Sequence, residues 1–304
     1  DEKWKKETIA NTSEQQFRTE FECEFLGSVN TLINPSKLRT MAYQSPGISN
    51  AGLDIYESPK EDRRYCLTVD VARGDLNDAS AFVIFDITTI PYRVIGKYKN
   101  NEIKPMLFPQ VIEKVAKNYN NAEILVEVND IGGQIADTLH YELEYDNLIM
   151  VSQRGRAGQI AGSGFSGKGA QLGVRTTKAI KKLGCSNLKT MIEADKIIIQ
   201  DFDIISELST YILKGSSKYE ADDGSNDDLV MCLVLFAWLS NQTYFKELTD
   251  SDIRARLYEE QRNAIEQDMA PFGFLNDGIS NPEEESFTDP YGQKWETVKI
   301  IKGQ

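Results

Sequence analysis

Three features of the chain predict an α/β fold with a mixed sheet. Two short apolar runs, Tyr65–Val71 and Ala81–Ile87, flank a polar turn holding Gly74, Asp75, Asn77 and Asp78, the pattern of a hairpin of core strands. From Ala122 onward, helical and strand patterns alternate, which calls for parallel as well as antiparallel pairing. The third feature is size: 304 residues, 40% of them hydrophobic, are enough for a sizeable core.

Residues 1 to about 60 read as an extension. Thr12 or Ser13 can cap a helix, with Gln16 at capping-box spacing from Ser13, and Phe17, Phe21 and Phe25 recur as a packing stripe. Ser45–Gly52 and Ser58-Pro59-Lys60 are loop chemistry, which sets the start of the core near residue 60.

The first core run ends on Asp70. Packing alone does not place an aspartate at the end of a strand buried on both faces, so Asp70 needs a partner, for which a divalent cation is one candidate. After the hairpin, Tyr92–Tyr98 is a third strand. A helix starts near Pro109 and runs to about Tyr119, with Val111, Ile112 and Val115 inward. Ala122–Asn129 is a strand that also ends on an acid, Glu127. Gly132-Gly133 turn into a helix over about Gln134–Glu142, and Leu148–Val151 is another strand.

The next segment is unusual in charge. The whole chain carries −13, yet from Val151 to Thr190 there is no acid, while Arg154, Arg156, Lys168, Arg175, Lys178, Lys181, Lys182 and Lys189 are all basic. A basic segment on an acidic body suits contact with phosphates. Gly162–Gly169 imitates a nucleotide phosphate loop but has Gly169 where the hydroxyl that holds Mg²⁺ is needed, so it reads as a flexible loop. Arg175, Lys178 and Lys182 fall on one face of a helix ending at Gly184. A second helix, from about Ser186 to Asp195, buries Leu188, Met191 and Ile192 and leads into a strand, Lys196–Ile199.

Asn226-Asp227-Asp228 opens a helix that is apolar nearly all round, Leu229–Trp238, and is therefore buried. One aspartate can cap this helix while the other projects from its first turn. A polar helix from Thr249 to about Met269 and a Pro- and Gly-rich, loosely ordered tail complete the chain. Three segments result: an extension (1–60), a core (61–245), and a C-terminal helix and tail (246–304).

Composition narrows the chemistry. Cys23, Cys66, Cys185 and Cys232 are scattered and suit reduced core thiols, and the one histidine, His140, excludes a His-rich metal site. No signal-peptide pattern or membrane-length apolar run occurs, so a soluble, intracellular protein is expected. Asp70, Glu127 and the Asp227-Asp228 pair are the acidic points of the core. If they converge, crowded carboxylates repel unless a cation neutralises them, and all-oxygen ligands select Mg²⁺ or Mn²⁺. Beside a phosphate-binding segment, such a site suits hydrolysis of a phosphodiester.

The order strand-Asp, hairpin, strand-Glu, helix-Asp resembles the ribonuclease H-like superfamily, whose core is a five-stranded mixed sheet flanked by helices. More narrowly, Thr68–Gly74 with Asp78 downstream, Val126–Asn129 before Gly132, and Asn226–Met231 resemble the nuclease domain of the large terminase subunit of T-even-type tailed bacteriophages. The stretch from Glu14-Gln15-Gln16-Phe17 through Phe25-Leu26-Gly27-Ser28 resembles that family's segment joining an ATPase motor to the nuclease. The resemblance implies a metal-dependent endonuclease that cuts concatemeric DNA during headful packaging. It implies two Mg²⁺ ions, replaceable by Mn²⁺, held by Asp70, Glu127, Asp228 and Asp227, with Asp78 orienting ligands. It further implies double-stranded DNA, an upstream ATPase motor, a portal protein and a small terminase subunit as partners, with no membrane. The place implied is the host cytoplasm, at the procapsid portal. A junction resolvase or transposase-like nuclease of the same superfamily is the enzymatic alternative, and a non-catalytic docking module for portal or DNA the other.

Overall fold

The elements of the computed structural model begin with a short helix, α1 (Pro35–Thr40), capped by the Asn34 side chain, and two short strands, β1 (Ile48–Asn50) and β2 (Leu53–Ile55). Then come β3 (Tyr65–Asp70), β4 (Ser80–Asp86), β5 (Tyr92–Asn100), α2 (Phe108–Asn118), β6 (Glu123–Val126) and α3 (Gly132–Asp137). A π-helical turn, Thr138–Glu142, continues α3. β7 (Ile149–Ser152), β8 (Ile160–Ser163) and β9 (Ala170–Leu172) precede α4 (Lys178–Glu193), β10 (Ile197–Ile198) and α5 (Phe202–Thr210). A hairpin of β11 (Tyr211–Lys214) and β12 (Lys218–Ala221) leads to α6 (Asp228–Leu239). The structure describes residues 5, 30–72, 78–152, 160–163, 170–215, 218–249, 286–288 and 292–296. The chain divides into two units, Asp1–Ile253 and Arg254–Gln304. Within the second, β13 (Ser286–Thr288) and β14 (Lys294–Glu296) form an antiparallel hairpin in the stretch expected as a loose tail.

Seven strands make the main sheet, in the order β1-β2-β5-β4-β3-β6, with β10 pairing parallel to β5. β3 and β6 are parallel and the other neighbours antiparallel, so the sheet is mixed, as the sequence predicts. Alternation along the strands sends side chains to two cores. Val83 and Phe85 of β4 join α4, α5 and α6 on one face, while Phe82 and Ile84 join α2 and α3 on the other. Every residue of α6 is buried, which its all-round apolar sequence requires. Two contacts fix it over the sheet: Phe236 stacks on Phe85 at 3.9 Å, and the Thr68 hydroxyl donates to the Cys232 carbonyl at 2.8 Å.

The structure revises several local expectations. Residues from 30 onward are built into the first unit: Leu32, Ile33 and Leu38 lie in its core, and β1 and β2 extend the sheet beyond β5. Ile160–Ser163, whose last two residues fall in the Gly162–Gly169 stretch expected as a loop, and Ala170–Leu172 pair on either side of β7. The phenylalanine stripe, the polar helix beyond Thr249, Cys23 and the hairpin turn at 73–77 lie outside the described residues. Cys66, Cys185 and Cys232 are buried free thiols. Among the described residues, no helix is long and apolar enough to cross a membrane.

Gly184 does not end a helix; α4 runs through it from Lys178 to Glu193. A Cβ at this position would stand 2.5 Å from the Val234 carbonyl oxygen, so the glycine lets α4 press against α6. Arg175, expected on this helix, precedes its N-cap, Thr177. Replacing Gly184 by Ala should therefore destabilise the domain by about 2 kcal/mol despite alanine's better helix propensity, because backbone cannot yield as a side chain can. Urea denaturation checks this, and an unchanged midpoint would contradict the close approach.

Candidate active site

Register brings one row of side chains together. Asp70 of β3 lies opposite Ala81 of β4, and Ala81 opposite Lys99 of β5. Residues directly opposite in a sheet share a face, here the one covered by α6. β6 runs parallel to β3, and the Glu127 amide donates to the Val69 carbonyl at 2.9 Å, which sets Glu127 beside Asp70. Glu127 is only 8% exposed, and its Oε1 accepts from Asn129 Nδ2 at 2.6 Å. Behind it, a Cβ on Gly132 would land on the Glu127 carbonyl oxygen, so glycine lets α3 start hard against the strand end.

The third acid comes from the start of α6. Asp227 is the N-cap residue, yet its side chain makes no capping hydrogen bond, contrary to the expectation that one of the two aspartates would do so. Glu207, reaching over from α5, takes that role. Its Oε2 accepts from the amides of Leu229 and Val230 at 2.9 and 3.1 Å, while its Oε1 accepts from Lys99 Nζ at 2.5 Å. Asp228, 8% exposed, lies 3.4 Å from Lys99 Nζ and accepts from Asn226 Nδ2 at 3.4 Å. Its carboxylate also accepts from the Ala79 amide. Asp227 stands 3.6 Å from Lys181 Nζ. Asp78, the residue before Ala79, is exposed.

Electrostatics tie the acids together. Asp70 is pushed well above the carboxylate range, first by desolvation, then by the charge of Glu127 and a hydrogen bond with it, and further by Asp228 and Asp227. Burial raises Asp228 too, against the pull of Lys99. Glu207 is pushed up to about 7 by burial, with Lys99 and the Val230 amide opposing. Glu123, half-buried at the start of β6, is also pushed up to about 7 by desolvation. Asp70 and Glu127 thus meet as two acids in hydrogen-bond contact, an arrangement that needs a shared proton or a cation between them. Among the described residues, no three such side chains close into a ready ligand cage, and the Asp228 carboxylate lies 3.4 Å from Lys99 Nζ. In donor chemistry the set fits a hard divalent cation, since Glu127, Asp228 and Asp227, whose charges act on Asp70, all offer carboxylate oxygen.

A pH dependence follows for protein kept in chelator. Groups whose folded pKa is raised hold protons that the unfolded chain has released. Their stabilisation is present below the unfolded value of about 4.5 and is lost as pH climbs through the folded value of about 7 for Glu123 and Glu207. Asp70 and Asp228 act in the same direction. The urea midpoint should therefore be lower at about pH 8 than at about pH 5. A midpoint that rises over this window would contradict the burial of these acids.

The basic residues border the acids. Val174 exchanges backbone hydrogen bonds with β6, its amide donating to Val126 at 2.8 Å and its carbonyl accepting from Val128 at 2.9 Å, so the exposed Arg175 leaves the sheet close to Glu127. On α4, Lys178 and Lys182 are exposed, and Lys181 lies over the Tyr211 ring, 5.6 Å from its centroid. A groove of about 200 Å³ runs between α4 and the β11–β12 hairpin, lined by Lys178, Lys181, Lys182, Cys185, Lys218 and Tyr219. Arg154, Arg156 and Lys168 lie outside the described residues. Sequence reasoning missed Lys99, Glu207 and Lys218. Only for Lys99 was there a signal: Lys97 and Lys99, two apart in a strand, share a face and cannot both be buried without acids opposite.

Known proteins share this architecture. The nuclease of the large terminase from thermophilic phage G20c with bound cobalt superimposes with a TM-score of 0.53 at 19% identity, over 70% of this chain and 98% of that one. The same nuclease with bound magnesium gives 0.53 at 18% identity, over the same shares. The model of the terminase RNaseH-like domain matches residues 67–237, a span that opens in β3 before Asp70 and closes in α6 beyond Asp228. By that match and by the mixed sheet carrying acids at its strand and helix ends, the chain belongs to the terminase RNaseH-like domain family, the ribonuclease H-like nuclease domains of phage DNA packaging.

Proposed function

We propose that the protein is a Mg²⁺-dependent DNA endonuclease that cuts concatemeric viral DNA during headful packaging. The observation that carries this reading is that Asp70, side by side with Glu127 at two strand ends, feels the charges of Asp228 and Asp227 at the start of α6, where Asp227 stands 3.6 Å from Lys181 of α4. Asp70, Glu127, Asp228 and Asp227 would hold the metal, two Mg²⁺ ions or Mn²⁺ in their place. Support comes from the G20c nuclease, solved with magnesium and with cobalt. The bound ions would lower the pKa of the attacking water and offset charge on the leaving 3′-oxygen. The chain's own residues do the rest. Asp70, at the centre of the acids, gives up its proton to become a ligand. Arg175, Lys178, Lys181 and Lys182, with Arg154, Arg156 and Lys168, bind the phosphate backbone without reading sequence. Asp78 orients the ligand shell.

In this reading residues 1–60 carry the link to an upstream ATPase motor, Leu32, Ile33, Leu38 and the strands β1 and β2 among them packing into the nuclease core of 61–245, and 246–304 form a C-terminal appendage. The portal and small terminase subunit are its partners, and the host cytoplasm, at the procapsid portal, is its place of action. Incubation with supercoiled plasmid and Mg²⁺ or Mn²⁺ tests the activity. Conversion to nicked and linear forms of mixed sequence, stopped by chelator, is the expected result, and cleavage that survives full chelation would overturn the metal dependence.

A further inference from the structure

A strand and a helix share a ladder of ion pairs next to the acids. Two strand residues advance about 6.7 Å and four helical residues about 6 Å, so Lys97 and Lys99 of β5 meet acids four apart on α5, Asp203 and Glu207. The lower rung is structural. Lys97, 3% exposed, pairs with Asp201 at 3.0 Å, with Asp54 at 3.5 Å and with Asp203, and Asp201 caps α5 by accepting from Ile204. The upper rung is different, because Lys99 faces two acids of different kinds. Glu207 holds its ammonium at 2.5 Å and is itself fixed by the two α6 amides, whereas Asp228, at 3.4 Å, belongs to the acid cluster.

We infer that Lys99, anchored on Glu207, is the resident counter-ion of the acid cluster and holds the Asp228 carboxylate until a divalent cation takes it over. This rests on the metal-dependent reading of the site. Lys99 is a positioning residue here: it sets where Asp228 points and competes with the metal for it. Glu207 supplies the fixed point, since it keeps Lys99 neutralised after Asp228 has gone. By accepting from the Leu229 and Val230 amides, it also spares Asp227 the capping of α6.

The test is calorimetric titration of the whole protein with Mn²⁺ alone, with thermal melting in chelator and in Mn²⁺, for wild type, Lys99→Met and Lys99→Gln. Removing a positive charge from beside a bound cation should tighten Mn²⁺ binding by about tenfold. Lys99→Met should melt below wild type in chelator, where its acids have lost their counter-ion, and Mn²⁺ should close that gap. Lys99→Gln keeps part of the stem and a neutral donor, and decides the outcome if Lys99→Met does not fold. Equal or weaker Mn²⁺ binding by the folded variants overturns the counter-ion role, since a merely structural lysine would lower the melting temperature without tightening the metal. A wild type that binds no Mn²⁺ overturns the metal-dependent reading itself, and this inference with it.

Discussion

Asp70→Asn should abolish cleavage while leaving the fold intact. Replacing a group that only supports a ligand typically costs about 10–100-fold, so loss of the ligand at the centre of the cluster should exceed about 100-fold. Few enzyme variants are predicted to lose so much activity and gain stability, and the gain follows from the same geometry. Asp70 is pushed so far up by desolvation first and then by the charges of three neighbouring acids. An amide of the same shape keeps a donor for Glu127 and needs neither a proton taken up on folding nor a charge held in that site. In chelator the variant should therefore melt at or above the wild-type temperature, by about 2–4 °C for each kcal/mol relieved. Added Mn²⁺ should raise the melting temperature of the wild type and leave that of the variant nearly unchanged, since a ligand that binds only the folded state stabilises it. Plasmid conversion and thermal melting, run side by side, check both parts. Metal-dependent nicking at more than a hundredth of the wild-type rate would remove Asp70 from the metal site. A large fall in melting temperature would mean that its carboxylate is structural.

The sequence made the acids legible for a physical reason: each ends a buried element, where a charged residue has no packing role. Asp70 and Glu127 close apolar strands, Asp228 opens an apolar helix, and parallel pairing of β3 with β6 brings the first two together. What could not be read was how those acids are held. The Asn-Asp-Asp run looks like a self-capping helix start, because local hydrogen bonding is what such residues usually do. The cap comes instead from Glu207, twenty residues upstream of Asp227, and only the packing of α5 against α6 reveals it. Gly184 was misread for a similar reason. Glycine ends helices and also permits helices to touch, and the carbonyl of Val234 that decides between the two is fifty residues away. Lys99 carries the same lesson in charge, since its partners lie on two helices that no local pattern joins to β5.

Neutralising the exposed basic residues should separate binding from chemistry. Arg175, Lys178 and Lys182 face solvent, whereas Lys181 also balances Asp227 and lies over the Tyr211 ring, so the first three test contact with a phosphate backbone without disturbing the acids. Each phosphate contact releases condensed counterions and contributes about 0.9 to the slope of log affinity against log salt. The triple replacement by alanine should therefore flatten that slope by up to about 2.7 and weaken binding more than about tenfold near 0.1 M salt. Fluorescence anisotropy with a labelled duplex, in the Asp70→Asn background so that the DNA is not cut, measures both. Because these contacts carry no base information, duplexes of unrelated sequence should lose affinity alike. The acids repel the same backbone, so in chelator the wild-type site itself should oppose binding. Divalent metal should then strengthen DNA binding in the wild type by more than it does in the Asp70→Asn protein, where the cluster no longer collects the ion. A triple variant with an unchanged salt slope would move the DNA off α4, and the lysines of that helix would then serve only to balance Asp227 and its neighbours.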